Sequence, residues 1–137
     1  LYQVTLPVDS VFDIAGNPLE DTLFVKKIIT VNQDTLSEIS GAIVDSDTNA
    51  VGPFEITARS ISGNEYVERV NSSEYSFKDI LPGQYVLELF RDEDGNGVYS
   101  KGSFSPYQPS ERFYIYPDTI SVRSKWPNEG NDIVFPK

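Results

Sequence analysis

The chain has 137 residues, a length that accommodates one domain, or one domain and part of another. It contains neither Cys nor His, which excludes disulfides, thiol nucleophiles, histidine bases and zinc sites built from those residues. With 11 Lys and Arg against 21 Asp and Glu, its net charge of −10 has the wrong sign for binding the phosphates of nucleic acid. No apolar run approaches the roughly 18 residues of a membrane helix, so we expect no membrane span.

The apolar residues are mostly of the types that favour strands. The chain has 13 Val, 11 Ile, 7 Thr and 17 aromatic residues against 4 Ala and 8 Leu. β-Branched and aromatic side chains lose rotamer freedom in a helix but pack well on a pleated sheet. Nine Gly and nine Pro punctuate the sequence. This composition predicts an all-β protein with short strands and frequent turns.

In chain order, alternating polar and apolar residues predict a strand at 2–6, and an apolar run interrupted by Lys26 and Lys27 predicts another at 23–30. A polar linker at 31–37 follows. Further strands are predicted at 39–45, 54–59, 66–70, 74–77, 84–91, 113–116, 119–124 and 132–135. The segment 84–91 is apolar on both faces, which is typical of a strand at the centre of a sandwich. About seven short strands in about 100 residues predict a β-sandwich.

One segment carries a family resemblance. Tyr75-Ser76-Phe77, followed by Ile80-Leu81-Pro82-Gly83-Gln84-Tyr85-Val86-Leu87, resembles the hairpin of carboxypeptidase-regulatory-like and Cna-B-type domains. Gly41-Ala42-Ile43-Val44-Asp45 is similar to the first strand of those domains. The resemblance covers residues 38–137 and implies a seven-stranded antiparallel Greek-key β-sandwich of the transthyretin/Ig-like kind.

The hairpin that carries the resemblance has a simple physical interpretation. Pro82 fixes its own φ, and we expect Gly83 to supply a positive φ in the turn. Four large apolar residues then pair across the hairpin, namely Tyr75, Phe77, Tyr85 and Leu87.

The first segment resembles a different domain. Tyr2-Gln3-Val4-Thr5-Leu6 and Asp13-Ile14-Ala15-Gly16-Asn17-Pro18-Leu19 are similar to the closing strands of a bacterial Ig-like domain of surface and S-layer proteins. We therefore expect residues 1–33 to be the C-terminal remnant of such a domain, contributing a strand pair. The two resemblances together imply an exported Bacteroidetes-type protein at the cell surface or in the periplasm. Because the chain begins at Leu1 and has no Met, we expect a processed protein or a fragment, with any lipid-anchor segment outside it.

A truncated strand pair poses a physical problem, since an isolated hairpin is marginal in water and its edges attract other strands. We therefore predict that residues 1–30 pair with a second copy and produce a homo-oligomer. The apolar residues behind this prediction are Val11, Phe12, Ile14, Leu23, Phe24, Val25, Ile28 and Ile29.

One acidic segment predicts a cation site. Counted from Asp92, positions 1, 3 and 5 carry side-chain oxygens. Gly97, at position 6, occupies the place of the glycine in an EF-hand or dockerin-type calcium loop. Position 12 of that pattern is Ser103 instead of Glu, so Glu111 is the nearest carboxylate able to complete it. The predicted calcium ligands are Asp92, Asp94, Asn96, the Val98 carbonyl, Ser100 and Glu111. The calcium would be structural, and the alternative is an acidic turn that caps its own backbone.

A second acidic segment and a group of aromatic residues could also have a functional role. The acidic segment 45–49 lacks the glycine and the distal carboxylate, and it predicts a solvated turn. The aromatic residues of the last third are expected to fill the core, with Trp126 continuing the inward phase of Ile120 and Val122. These aromatic residues are Phe104, Tyr107, Phe113, Tyr114, Tyr116 and Trp126. The alternative is an exposed platform for a glycan or a protein partner.

Catalysis is disfavoured, because no Ser-x-x-Lys motif is present and serine nucleophiles require an adjacent base. We expect a non-enzymatic structural or binding module that spaces or presents other domains of the same surface protein. Two alternatives stay open at this point. One is a carbohydrate-binding module that acts through Tyr107 or Tyr114, and the other is an accessory domain of a larger secreted enzyme.

Overall fold

The computed structural model describes residues 2–7, 12–18, 23–28 and 30–137. Internal contacts divide the chain into two units, Leu1–Asn32 and Gln33–Lys137. Within the described residues, the regular structure is β-strand apart from one 3-10 turn at Gln33–Thr35. The all-β class that the composition predicts is therefore confirmed.

The described part of the chain forms twelve strands, of which the first two belong to the first unit. In chain order they are β1 (Tyr2–Pro7), β2 (Leu23–Ile28), β3 (Ser37–Asp45), β4 (Phe54–Ser60), β5 (Glu65–Val70), β6 (Glu74–Ile80), β7 (Gly83–Arg91), β8 (Ser103–Phe104), β9 (Tyr107–Gln108), β10 (Phe113–Ile115), β11 (Ile120–Val122) and β12 (Ile133–Phe135).

In the first unit, β1 and β2 pair antiparallel, with Tyr2 opposite Ile28. The Asp13 carboxylate accepts the backbone N–H of Asn17 at 2.8 Å and closes the intervening turn. Of the residues behind the predicted homo-oligomer, Phe12, Ile14, Val25 and Ile28 are exposed. Val11, Ile29 and the side chains of Leu23 and Phe24 lie outside what the structure describes. Pairing with a second copy stays a prediction.

The second unit contains a five-stranded and a three-stranded sheet. The first has the order β10-β7-β4-β5, and β11 also pairs with β7, all antiparallel. The second has the order β12-β3-β6, in which β12 is parallel to β3 with Ile133 opposite Ile43. The prediction of an entirely antiparallel arrangement is wrong at β12. Between β3 and β12 the chain passes through the other sheet, and so long a connection permits parallel pairing, whereas a tight turn does not.

The core draws on both sheets of the second unit. In β4, Phe54, Ile56 and Ala58 are buried in strict alternation, and in β7 the buried set includes Tyr85 and Leu87. The three-stranded sheet contributes, among others, Ile39, Phe77, Ile133 and Phe135. Burying one such aliphatic or aromatic side chain contributes about 1.5–3 kcal/mol, so this shared cluster holds the unit together.

The segment around Pro82 differs from its predicted structure. β6 pairs with β3 and β7 pairs with β4, so the chain passes between sheets here instead of forming a hairpin. The predicted cross-hairpin pairing is therefore wrong, although all four residues named for it are buried in the core. The predicted positive φ at Gly83 is wrong as well, since the left-handed conformation falls on Asp79, with φ 56°. A corner between sheets has no need of the turn geometry that reverses a strand within one sheet.

The expectation that the late aromatic residues fill the core is wrong for most of them. Trp126 is 73% exposed, and Phe104, Tyr107 and Phe113 are also exposed, whereas Tyr114 and Tyr116 pack against the core. β11 ends at Val122, and a bridge between Arg123 and Trp126 then turns the chain. The inward phase of β11 therefore does not continue to Trp126.

Candidate metal centre

The acidic loop, residues 92–100, begins where an interior strand ends. β7 pairs with a strand on each side, so the first residue of the loop lies between neighbouring strands and is covered by them. The backbone N–H of Asp92 donates to the Pro53 carbonyl at 3.0 Å. The pairing of β7 with β4 therefore continues to the residue after β7 and the residue before β4. As a result Asp92 is only 1% exposed, an unusual position for a carboxylate.

Three of the predicted ligands meet in space. One carboxylate oxygen from each of Asp92, Asp94 and Glu111 lies within 4.8 Å of the others. Two oxygens that contact the same Ca²⁺ at about 2.3–2.6 Å are at most about 5 Å apart, so this spacing is compatible with one shared ion. Asp92 and Glu111 are buried and Asp94 is exposed, which gives the cluster a closed side and an open side.

The Asp92 carboxylate has one satisfied and one unsatisfied oxygen. Oδ2 accepts the Gly97 backbone N–H at 3.0 Å and forms an ion pair with Arg69. Oδ1 is buried and has no hydrogen-bond partner among the described residues. Burial raises the pKa of Asp92, but the contacts with the Gly97 N–H, the Arg69 guanidinium and the Gly95 N–H outweigh it and hold the pKa below the ordinary value, so the group is ionised. A buried ionised oxygen without a partner is costly, and a cation would remove that cost.

Glu111 ties the two ends of the loop together. Its Oε1 accepts the Glu93 N–H at 2.8 Å, and its Oε2 accepts the Ser100 N–H at 2.9 Å. The Glu111 N–H in turn donates to the Ser100 carbonyl at 2.9 Å. The residue predicted as the distal carboxylate therefore lies beside the start of the acidic loop, although 18 residues separate it from Glu93 along the chain.

The remaining predicted ligands form a network around Asp94. Asn96 Nδ2 and Ser100 Oγ donate to Asp94 Oδ2 at 2.8 and 2.9 Å. The Asn96 oxygen accepts the Val98 N–H at 2.7 Å, so in this arrangement the amide nitrogen faces Asp94. The roles of Asn96, Ser100 and the Val98 carbonyl as ligands stay predictions.

The two interpretations of this loop can be compared residue by residue. A turn that caps its own backbone accounts for Asp94, whose Oδ1 accepts the Asn96 N–H at 3.0 Å, and for the Val98 bond to Asn96. It gives no reason for the oxygen of Asp92 that lacks a partner among the described residues. That feature favours a cation site.

Sequence reasoning missed two arginines beside the loop. Arg69 on β5 pairs with Asp92, and Arg112 donates from Nε to Glu93 Oε1 at 3.2 Å. Arg69 is two strands away from β7 in the sheet, so only the strand order brings it to Asp92. No local signal in the sequence marks it.

The second acidic segment, residues 45–49, forms a turn that caps its own backbone. Asp45 accepts the Asp47 N–H at 2.8 Å, and Asp47 accepts the Asn49 N–H at 3.1 Å. Asp45 also forms ion pairs with Arg91 and Arg112. The charge of Asp45 is thus neutralised within the protein.

A small hairpin lies between the acidic loop and Glu111. β8 and β9 pair with Ser103 opposite Gln108 and Phe104 opposite Tyr107. A cavity of about 510 Å³ lies between the hairpin and the metal cluster, with Asp94 and Glu111 among its lining residues.

Comparison with known proteins supplies no identity for the chain. No family model matches the sequence, and no curated protein matches it. In the described residues, no helix has the length and apolar character that crossing a membrane requires.

Proposed function

We propose that the chain is a non-enzymatic structural module of an exported bacterial surface protein, stabilised by one calcium ion bound at the acidic loop. The proposal rests on two observations: one carboxylate oxygen from each of Asp92, Asp94 and Glu111 lies within 4.8 Å of the others, and Asp92 Oδ1 is buried with no hydrogen-bond partner in the described part of the chain. Bound there, calcium would join the end of β7 to the segment that leads into β10. The loop between them would then be fixed at both ends.

The finer fold assignment belongs to the same proposal. Two sheets that share one core support a transthyretin-like Greek-key sandwich over residues 38–137. Its strands number seven when β10 and β11, which pair with separate parts of β7, are counted as one interrupted strand. Placement at the cell surface or in the periplasm, with an Ig-like remnant in residues 1–33, is supported by the sequence resemblance. Digestion with an external protease distinguishes the locations: degradation in intact bacteria indicates the cell surface, and degradation after permeabilisation of the outer membrane alone indicates the periplasm. A chain that is degraded only when the inner membrane is also lysed would contradict export.

The calcium site is tested by titration calorimetry of the whole chain with calcium chloride, together with thermal unfolding in calcium and in a chelator. At a calcium concentration about 100 times Kd, binding adds about 2.7 kcal/mol to stability. For a domain of this size, that corresponds to a rise in Tm of roughly 10 °C or more. No heat of binding together with no rise in Tm would contradict the proposal.

Two matched variants locate the site. Asp94→Asn removes one carboxylate from the cluster on its exposed side and should abolish the calcium-dependent rise in Tm. Asp47→Asn makes the same change in the other acidic turn, where the carboxylate accepts the Asn49 N–H, and should leave the rise intact. Equal losses in both variants would show that the acidic loop is not the binding site.

A further inference from the structure

The metal cluster opens onto a cavity with polar walls. Asp94 and Glu111 lie at one side of the 510 Å³ cavity, and Ser103, Gln108 and Ser110 supply hydroxyl and amide groups at the other. A cation bound by the carboxylates would therefore lie at the wall of a space large enough for a small ligand.

The three carboxylates, with one oxygen each in the cluster, do not complete the coordination of such a cation. Ca²⁺ takes six to eight oxygen ligands. Asp92 Oδ2 already accepts bonds from Gly97 and Arg69, and both carboxylate oxygens of Glu111 already accept backbone N–H groups. The partnerless Asp92 Oδ1 lies on the buried side, whereas Asp94 is exposed. Coordination positions thus remain for oxygens that arrive from the cavity.

An exposed aromatic pair flanks the same cavity. Phe104 and Tyr107 are directly opposite each other in the β8–β9 hairpin, so both side chains project from one face of it. They are 96% and 79% exposed. They line a second cavity of about 330 Å³ that shares Ser103 and Gln108 with the first. Exposed aromatic rings beside hydroxyl and amide groups suit a ligand that has both apolar faces and hydroxyl edges.

We infer that this site binds a neutral oligosaccharide: adjacent hydroxyls of one sugar ring complete the coordination of calcium, and a neighbouring ring lies against Phe104 and Tyr107. The inference rests on the proposed function, since calcium forms the link. Three carboxylates, of Glu93, Asp94 and Glu111, line the cavity against the single ammonium group of Lys101. The bound Ca²⁺ balances the remaining negative charge, so the loaded site has no net charge to attract an anionic ligand, and sugar hydroxyls bring oxygens to the ion without added negative charge.

The test uses the whole chain on an array of neutral and uronic-acid-containing oligosaccharides, with calcium chloride or with EDTA. We expect binding to neutral oligosaccharides that falls at least tenfold in EDTA. Tyr107→Ala should weaken sugar binding at least tenfold while leaving the heat of calcium binding unchanged. Asp94→Asn should abolish both. Tyr66→Phe serves as the control, because this ring lies on β5, outside both cavities, and its change should alter neither.

The outcomes separate this inference from the proposed function. Calcium binding without any calcium-dependent capture of a neutral oligosaccharide overturns the inference and leaves the calcium site standing. Absence of calcium binding overturns both. Sugar binding that survives EDTA but is lost in Tyr107→Ala shows an aromatic platform without a cation and also overturns the inference. Preferential capture of uronic acids does so as well, because it contradicts the charge argument.

Discussion

Arg112 forms a bidentate pair with the Asp45 carboxylate, donating from Nη1 to Oδ1 and from Nη2 to Oδ2, each at 2.9 Å. Arg91 binds the same carboxylate. Asp45 ends β3, whereas Arg91 ends β7 in the other sheet, so the ion pairs join the two sheets at one end. Each guanidinium also lies over an aromatic ring, Arg91 over Phe54 and Arg112 over Phe135. The charges are thus held in a largely shielded position, where pairing matters more than on the surface.

Removing the charge of Asp45 should destabilise the second unit. Asp45→Asn leaves two shielded guanidinium groups without their counter-charge, and we expect the free energy of unfolding to fall by about 2–4 kcal/mol. Urea denaturation measures this change. The exposed Asp118 is the control, because Asp118→Asn should cost no more than about 0.5 kcal/mol. Equal effects of the two variants would show that the pairs with Arg91 and Arg112 contribute little.

The Asp45 carboxylate should also make the free energy of unfolding fall at acidic pH. Burial raises the pKa of Asp45, but hydrogen bonds from Arg112, the Asp47 N–H and Arg91 outweigh it and lower the pKa to about 2 from the ordinary 3.8. Because the folded state favours the ionised form, the contribution is complete above about pH 5 and is lost as the pH falls through about 2. It amounts to about 2 kcal/mol. The stability difference between the natural chain and Asp45→Asn should therefore shrink between about pH 5 and pH 2. A difference that stays constant with pH would contradict the lowered pKa.

Glu111→Gln should separate the two roles of this buried residue. The amide keeps the shape but offers one acceptor oxygen in place of two, so one of the bonds from Glu93 and Ser100 is lost even without calcium. We expect a loss of about 1–3 kcal/mol in chelator and no further rise in Tm with calcium. Glu129→Gln, at an exposed position, should show neither effect. A Glu111→Gln chain with an unchanged calcium-dependent rise in Tm would remove Glu111 from the site.

The strands were predictable because burial imposes a local period. Phe54, Ile56 and Ala58 face the core in alternation, and the sequence shows that alternation directly. The sheet that a strand joins is not a local property. The Pro82-Gly83 pair fits a hairpin and a corner between sheets equally well, and only the pairing of β6 with β3 decides between them.

The candidate site divides in the same way. Asp92 and Asp94 are close in sequence, so their spacing alone indicates a common site. Glu111 could be predicted as a ligand because few carboxylates follow the loop. Its burial could not be predicted, because it depends on how the chain returns to β10. The contact of Arg69 with Asp92 could not be predicted from the sequence, since it depends on the order of three strands.

Two glycines in strands should respond differently to alanine. At Gly41, a Cβ would lie 2.3 Å from the Asn131 carbonyl oxygen, so the backbone must move. At Gly83 the nearest atom would be Ser60 Oγ at 3.6 Å, an ordinary contact, and φ is not positive. We expect Gly41→Ala to cost about 2 kcal/mol or more in thermal unfolding. Gly83→Ala should be close to neutral. A large loss in Gly83→Ala would instead support the left-handed turn that the sequence suggested.

The single tryptophan provides an optical test of the strand phase after β11. Because Trp126 is 73% exposed, its fluorescence in the folded protein should resemble that of tryptophan in water, with ready quenching by acrylamide. Trp126→Ala should lower the free energy of unfolding by less than about 1 kcal/mol. Phe135→Ala, at a fully buried ring, should cost about 3–5 kcal/mol and serves as the reference. A blue-shifted emission that is protected from acrylamide, together with a loss in Trp126→Ala as large as that in Phe135→Ala, would place the indole in the core.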